Sequence, residues 1–117
     1  MKDGELPTME FTERTLLRSW LEQHHATSTG IFIRIFKKAS GIPGVTFAEV
    51  LDEGLCFGWS ESKRLALDEL SYLQRFAPRK TRGTTSIRNL EHARVLIASG
   101  LMTQAGLTSL ALENLTD

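Results

Sequence analysis

Val45-Thr46-Phe47-Ala48-Glu49-Val50 constrains this chain more than any other stretch. Thr46 and Glu49 have the spacing of a capping box, in which the hydroxyl accepts the N3 amide proton and the carboxylate reaches back to the cap amide. Val45 and Val50 match the hydrophobic staple that accompanies such a box. A helix therefore begins at Thr46, with Phe47, Val50, Leu51 and Leu55 as its buried stripe and Gly54 as a point of close backbone packing. It should stop near Cys56-Phe57-Gly58, where glycine permits a sharp turn into a strand.

The other elements follow from period and punctuation. Leu16, Leu17, Trp20, Leu21 and His24 recur at helical spacing between Thr12, the expected N-cap, and Ala26. Ile31 to Phe36 is β-branched and aromatic and reads as a strand, Ile31, Ile33 and Ile35 sharing one face. Residues 59–65 and 70–77 read as a hairpin around Leu67-Asp68-Glu69, closed by Pro78, which has no amide to donate. Ile87, Leu90, Arg94, Ile97 and Leu101 mark successive turns of a further helix, with Ala93 and Leu96 nearby and Gly100 as its stop. A last short helix starts near Thr103 and carries Leu107, Leu110 and Ala111. The order is α-β-α-β-β-α-α, an α+β fold in which four helices cover a small antiparallel sheet of about three strands.

The chain has 117 residues, enough for one domain that needs no disulfide or metal staple. Residues 1–9 read as a flexible acidic leader and 10–117 as a single domain. The first ten residues carry Asp3, Glu5 and Glu10 and no apolar core, so no secretory signal is expected. No apolar run reaches the roughly 20 residues of a membrane helix, so no membrane insertion is expected. With the lone Cys56 fitting a reducing compartment, the expected location is cytoplasmic.

Charge gives the first functional hint. Fourteen Lys and Arg balance fourteen Asp and Glu. Yet Arg75, Arg79, Lys80, Arg82, Arg88 and Arg94 are opposed between positions 75 and 94 by Glu91 alone, a local +5. Gly83 allows close approach, Thr84, Thr85 and Ser86 offer hydroxyls, and the next helix presents its free amides and positive dipole end. These are the ingredients of an anion site, in which arginine adds a two-point fork for phosphate or carboxylate. The plainer reading is that Ser86 or Thr85 caps the helix while the arginines are solvated or paired. No Walker A or dinucleotide glycine pattern occurs and no cofactor is expected.

Other reactive groups point less far. Cys56 falls at a helix C-terminus, where the dipole disfavours a thiolate, and reads as a small buried hydrophobe. His24 and His25 face different ways, and no Cys/His spacing matches a metal site. Asp52 and Glu53 are adjacent on a helix and read as solvated.

Several runs together resemble the bacteriocin-protection (YdeI/OmpD-associated) family. They are Asp52 to Trp59, then Tyr72-Leu73-Gln74-Arg75-Phe76-Ala77-Pro78-Arg79-Lys80, then Ser86 with Asn89, and finally Gly100 to Leu107. The family's own motifs read EALCFGWID, YLxRFTPR, SxWSxxN and GxMTPAG. This chain departs at Gly54 for Ala, at Ser60-Glu61 for Ile-Asp, at Thr85 for Trp and at Gln104 for Pro. The resemblance implies a small cytoplasmic α+β protein and supplies no reaction. Its motif positions include Trp59, Arg75, Arg79, Ser86 and Asn89, which overlap the basic loop. The residues expected to hold an anion are therefore Trp59, Arg75, Arg79, Arg82, Gly83, Ser86 and Asn89, with Trp59 as a wall. A small anionic ligand is the expected partner, and binding rather than catalysis the expected activity. A nucleic-acid partner on the same face is the alternative, weakened by zero net charge; an enzyme of unknown reaction is another.

Overall fold

The computed structural model describes residues 6–83 and 85–113. Its elements are β1 (Thr8–Met9), α1 (Arg14–His24), β2 (Ile31–Phe36), α2 (Phe47–Phe57), β3 (Trp59–Ala66), β4 (Ser71–Pro78), α3 (Ile87–Ala98) and α4 (Gln104–Leu110), with a 3-10 turn at Lys38–Ser40. The class is α+β, as expected.

The sheet differs from the expectation in one respect. It has four strands in the order β1-β2-β4-β3, and β1 runs parallel to β2, so the sheet is mixed. Thr8 and Met9 lie within the stretch read as a leader. Two residues are too few to carry a period-2 signal, and the pairing is completed by the Phe32 amide, which donates to Pro7 O at 2.8 Å. The other ladders are antiparallel: Ile31 lies opposite Phe76 and Ile35 opposite Tyr72, while Trp59 lies opposite Pro78. A bulge between Glu61 and Lys63 interrupts β3.

The capping box is complete at the head of α2. Glu49 N donates to Thr46 Oγ1 at 3.1 Å, and Thr46 N donates to Glu49 Oε1 at 3.0 Å. This helix is central, since it packs on α1, α3, α4 and β3. Val50, Leu55 and Cys56 join Leu17 and Leu21 of α1 and Ile31, Ile33, Ile35 and Phe76 of the sheet in one buried cluster. At the end of α2, Gly58 adopts φ 77°, and a side chain there would also meet Ser109 Cβ at 2.9 Å. The chain thereby reverses from helix to strand within one residue.

Two boundaries and one face move from the sequence reading. The N-cap of α1 is Glu13, without a side-chain capping bond, in place of Thr12, and the helix ends at His24 rather than near Ala26. In α3 the buried residues are Ala93 and Leu96, whereas Ile87, expected on the packed stripe, is 75% exposed. Ile87 sits at the first helical position, ahead of the buried residues of α3. Among the described residues, no helix is long and apolar enough to cross a membrane.

Candidate functional site

The polypeptide leaves β4 at Pro78 and is immediately tied to the α2–β3 junction, because Arg79 N donates to Gly58 O at 2.9 Å. A few residues on, Gly83 N donates to Ser109 O at 2.8 Å and fastens the loop against α4. Between these two anchors the basic segment runs across a pair of hollows that share Pro78, Arg79 and Lys80.

The smaller hollow, of about 320 Å³, lies at the open end of the β3–β4 hairpin. Its polar wall consists of Arg75, Arg79 and Lys80 together with the hydroxyls of Ser60, Ser62 and Thr81. Arg75 Nη1 donates to Ser62 Oγ at 3.2 Å, across the two strands. The larger hollow, of about 450 Å³, opens on the other side of the Pro78–Lys80 segment. Phe57, Trp59, Pro78 and Ala105 give it apolar walls, and Gln104 and Ser109 of α4 give it polar ones. No carboxylate lines either hollow among the described residues. The inventory is dominated by hydrogen-bond donors and positive charge, a set suited to an anion, with the His25 imidazole also bordering the larger hollow.

The residues expected from sequence divide between several places. Arg75 and Arg79 meet in the smaller hollow, and Trp59, Arg79 and Arg82 border the larger. Trp59 is 2% exposed, meets Trp20 edge-on and Phe76 at a tilt with ring centroids 5.7 and 5.0 Å away, and donates through Nε1 to His25 O, so its indole is chiefly a core group. Arg82 places Nη2 at 2.7 Å from both oxygens of Glu113, and the hydrogen bond from this guanidinium holds the Glu113 carboxyl below its usual pKa. Gly83 shapes the loop. Ser86 is the N-cap of α3, accepting from Asn89 N at 3.1 Å, and borders neither hollow. Asn89 is nevertheless linked to the site, because its Nδ2 and Arg79 Nη2 both donate to Thr85 Oγ1 at 3.1 Å. Thr84 lies outside the described residues.

Ser60 and Ser62 were missed in sequence, although their i, i+2 spacing on a strand next to Arg75 was a usable signal. Gln104 and Ser109 carried no such signal, since α4 reaches the site through tertiary packing on α2 and the Gly83–Ser109 bond.

A second polar cluster lies where α1, α2 and α3 meet, and it corrects the solvated reading of Asp52 and Glu53. The Glu53 side chain is 0% exposed. Arg14 Nε donates to its Oε2 at 2.6 Å and Arg18 Nη1 to its Oε1 at 3.0 Å. Arg14 also reaches Asp52 at 3.2 Å, and Asp52 in turn contacts His92 Nε2 directly. Burial opposes the Arg14 charge, but the hydrogen bond and charge of Glu53, with that of Asp52, raise its pKa further. Cys56 nearby is fully buried, and burial followed by the Glu53 charge pushes its thiol up to about 11. It is not a poised nucleophile. Among the described residues, no group of three or more His, Cys, Asp or Glu is placed to hold a metal ion.

The sequence profile described as "Domain of unknown function (DUF8412)" matches residues 9–109 of the chain. No curated protein and no solved structure matches it.

Proposed function

The chain belongs to this family of unknown function, and on that premise we propose from its side chains that it is a binding protein, not an enzyme, for a small anionic ligand. One observation carries the reading: Arg75, Arg79 and Lys80 converge with three hydroxyls on a hollow with no carboxylate among its described lining residues. Each guanidinium supplies charge-assisted hydrogen bonds of about 1.5–3 kcal/mol to an anion. The α3 N-terminus has a smaller part here than the sequence suggested, because Ser86 already accepts from the Asn89 amide. The motif resemblance to the bacteriocin-protection family and a cytoplasmic setting belong to this proposal, supported by the four motif runs and the lone cysteine.

Titration of the ¹⁵N-labelled protein with inorganic phosphate tests it. Amide shifts are expected at residues 60–62 and 75–81, and Arg75→Gln should weaken binding by roughly ten- to a hundredfold. Absence of shifts at millimolar phosphate, or shifts scattered elsewhere, overturns the reading.

Nucleic acid remains the competing partner, because Arg82, Arg88 and Arg94 add exposed positive charge to the same stretch of chain. Several phosphate contacts would make its affinity fall steeply with salt, whereas a single small-anion site has a shallow slope.

A further inference from the structure

A third hollow, of about 360 Å³, shares no lining residue with the two basic ones. We infer that it binds a zwitterionic amino acid with an apolar side chain, holding the ammonium at Glu61, the carboxylate at Arg88 and the side chain against Phe47, Ala48 and Leu51. This goes beyond the anion-binding reading and does not depend on it.

Three elements build the hollow. From α2 come Phe47 with Leu51 and Ala48 with Asp52, two pairs at i, i+4 on one helical face. Phe47 and Leu51 are half-buried and Ala48 is exposed, so this apolar wall keeps surface for a ligand. α3 supplies Arg88, Asn89 and His92 from one turn, and β3 supplies Glu61. Glu61 immediately precedes the bulge, a device that re-aims side chains on an edge strand. Asp52 and His92 contact each other and so brace α3 against α2, while Asp52 is also held by Arg14. Asn89 Nδ2 is likewise committed to Thr85, which leaves its Oδ1 as an acceptor.

Glu61 and Arg88 are different. Among the described residues neither side chain has a hydrogen-bond or ion-pair partner, and although both line the same hollow they form no pair with each other. A carboxylate and a guanidinium thus border a space at the lower end of the roughly 300–1,000 Å³ range of small-molecule sites. A ligand with a single charge answers one of them and leaves the other without a partner; a neutral ligand leaves both. A compact zwitterion answers both at once. The α-amino acid carries its ammonium and carboxylate on one carbon, and its side chain then covers the α2 wall.

Titration of the ¹⁵N-labelled full chain with L-leucine, 4-methylpentanoate, 3-methylbutylamine and glycine separates the parts of the ligand. The second lacks leucine's ammonium, the third its carboxylate and the fourth its side chain. Leucine is expected to bind at least tenfold more tightly than each of the others, with amide shifts at residues 47–52, 61 and 88–92. Glu61→Gln should weaken leucine and the amine and leave 4-methylpentanoate unchanged. Arg88→Gln should weaken leucine and 4-methylpentanoate and spare the amine. Because neither side chain has a partner to lose, both variants should unfold at the wild-type midpoint. No shifts at millimolar leucine, or shifts confined to other residues, overturn the site. Equal binding of leucine and either one-charge analogue overturns the zwitterion, and equal binding of glycine overturns the apolar wall. A matching loss of stability in Glu61→Gln, Arg88→Gln and the double variant shows that the two side chains pair with each other, and overturns the inference as well. Phosphate binding at the basic hollow stands or falls separately.

Discussion

Replacing Glu53 with Gln tests how the buried polar cluster supports the fold. Gln keeps the size and one acceptor but places an amide N–H₂ group against a guanidinium, so one charge-assisted bond is lost outright and the other keeps only the guanidinium's charge. Each such bond contributes about 1.5–3 kcal/mol. Breaking a fully buried pair from one side costs roughly 3–5 kcal/mol, because the remaining charge is stranded. Here Arg14 and Arg18 keep 29% and 23% of their side-chain surface exposed, and each has another partner, Asp52 and Leu101 O. Partial rehydration therefore places the expected loss near the lower end, about 3 kcal/mol. For a domain of this size that corresponds to a fall in Tm of about 12 °C. Urea unfolding followed by fluorescence of Trp20 and Trp59 measures it. The triple variant Arg14→Leu, Arg18→Leu, Glu53→Leu should be less destabilised than Glu53→Gln alone, because it strands neither guanidinium. A loss below about 1 kcal/mol for the single variant, or a triple variant less stable than the single, would refute the argument.

Gly54→Ala places a Cβ 2.8 Å from Trp59 O and 2.9 Å from Phe76 Cε1; the overpacking should outweigh the gain in helix propensity and lower stability by roughly 1 kcal/mol, and an unfolding midpoint above wild type would sink this. The Cys56 thiol, raised from 9.0 to about 11 in the fold, favours the native state fully below pH 9 and ceases to do so as pH climbs through 11. Wild type should therefore lose more stability than Cys56→Ala over that interval, and parallel pH–stability curves for the two would contradict it. Glu113→Gln removes the carboxylate that holds exposed Arg82, so affinity for inorganic phosphate should rise about two- to fivefold by calorimetry; an unchanged Kd would exclude Arg82 from the site.

What could be read before the coordinates was mostly local. The Thr46–Glu49 box, the Gly58 turn and the Ser86 cap depend on neighbours within three or four positions, and each stands as its spacing implies. The two-residue strand β1 is too short to have a pattern. The face of α3 was misjudged because Ile87 fits the helical period without reaching a partner. Of the expected anion residues, Arg75 and Arg79 are four positions apart on one continuous strand and its exit, so their convergence needed only the hairpin. Arg82 is different: its partner Glu113 is 31 positions away. The burial of Glu53 likewise rests on arginines 35 and 39 positions away, and the contact of Asp52 with His92 spans 40. Adjacent acids on a helix read as solvent-facing until a second helix supplies their counter-charges.

Because Gly58 O accepts the Arg79 amide, a single peptide unit joins the helix end, the start of the outer strand and the root of the basic loop. The main-chain bond there must open before the loop can swing away. Under the anion-binding proposal, added phosphate should therefore register as slower deuterium uptake at the Arg79 amide.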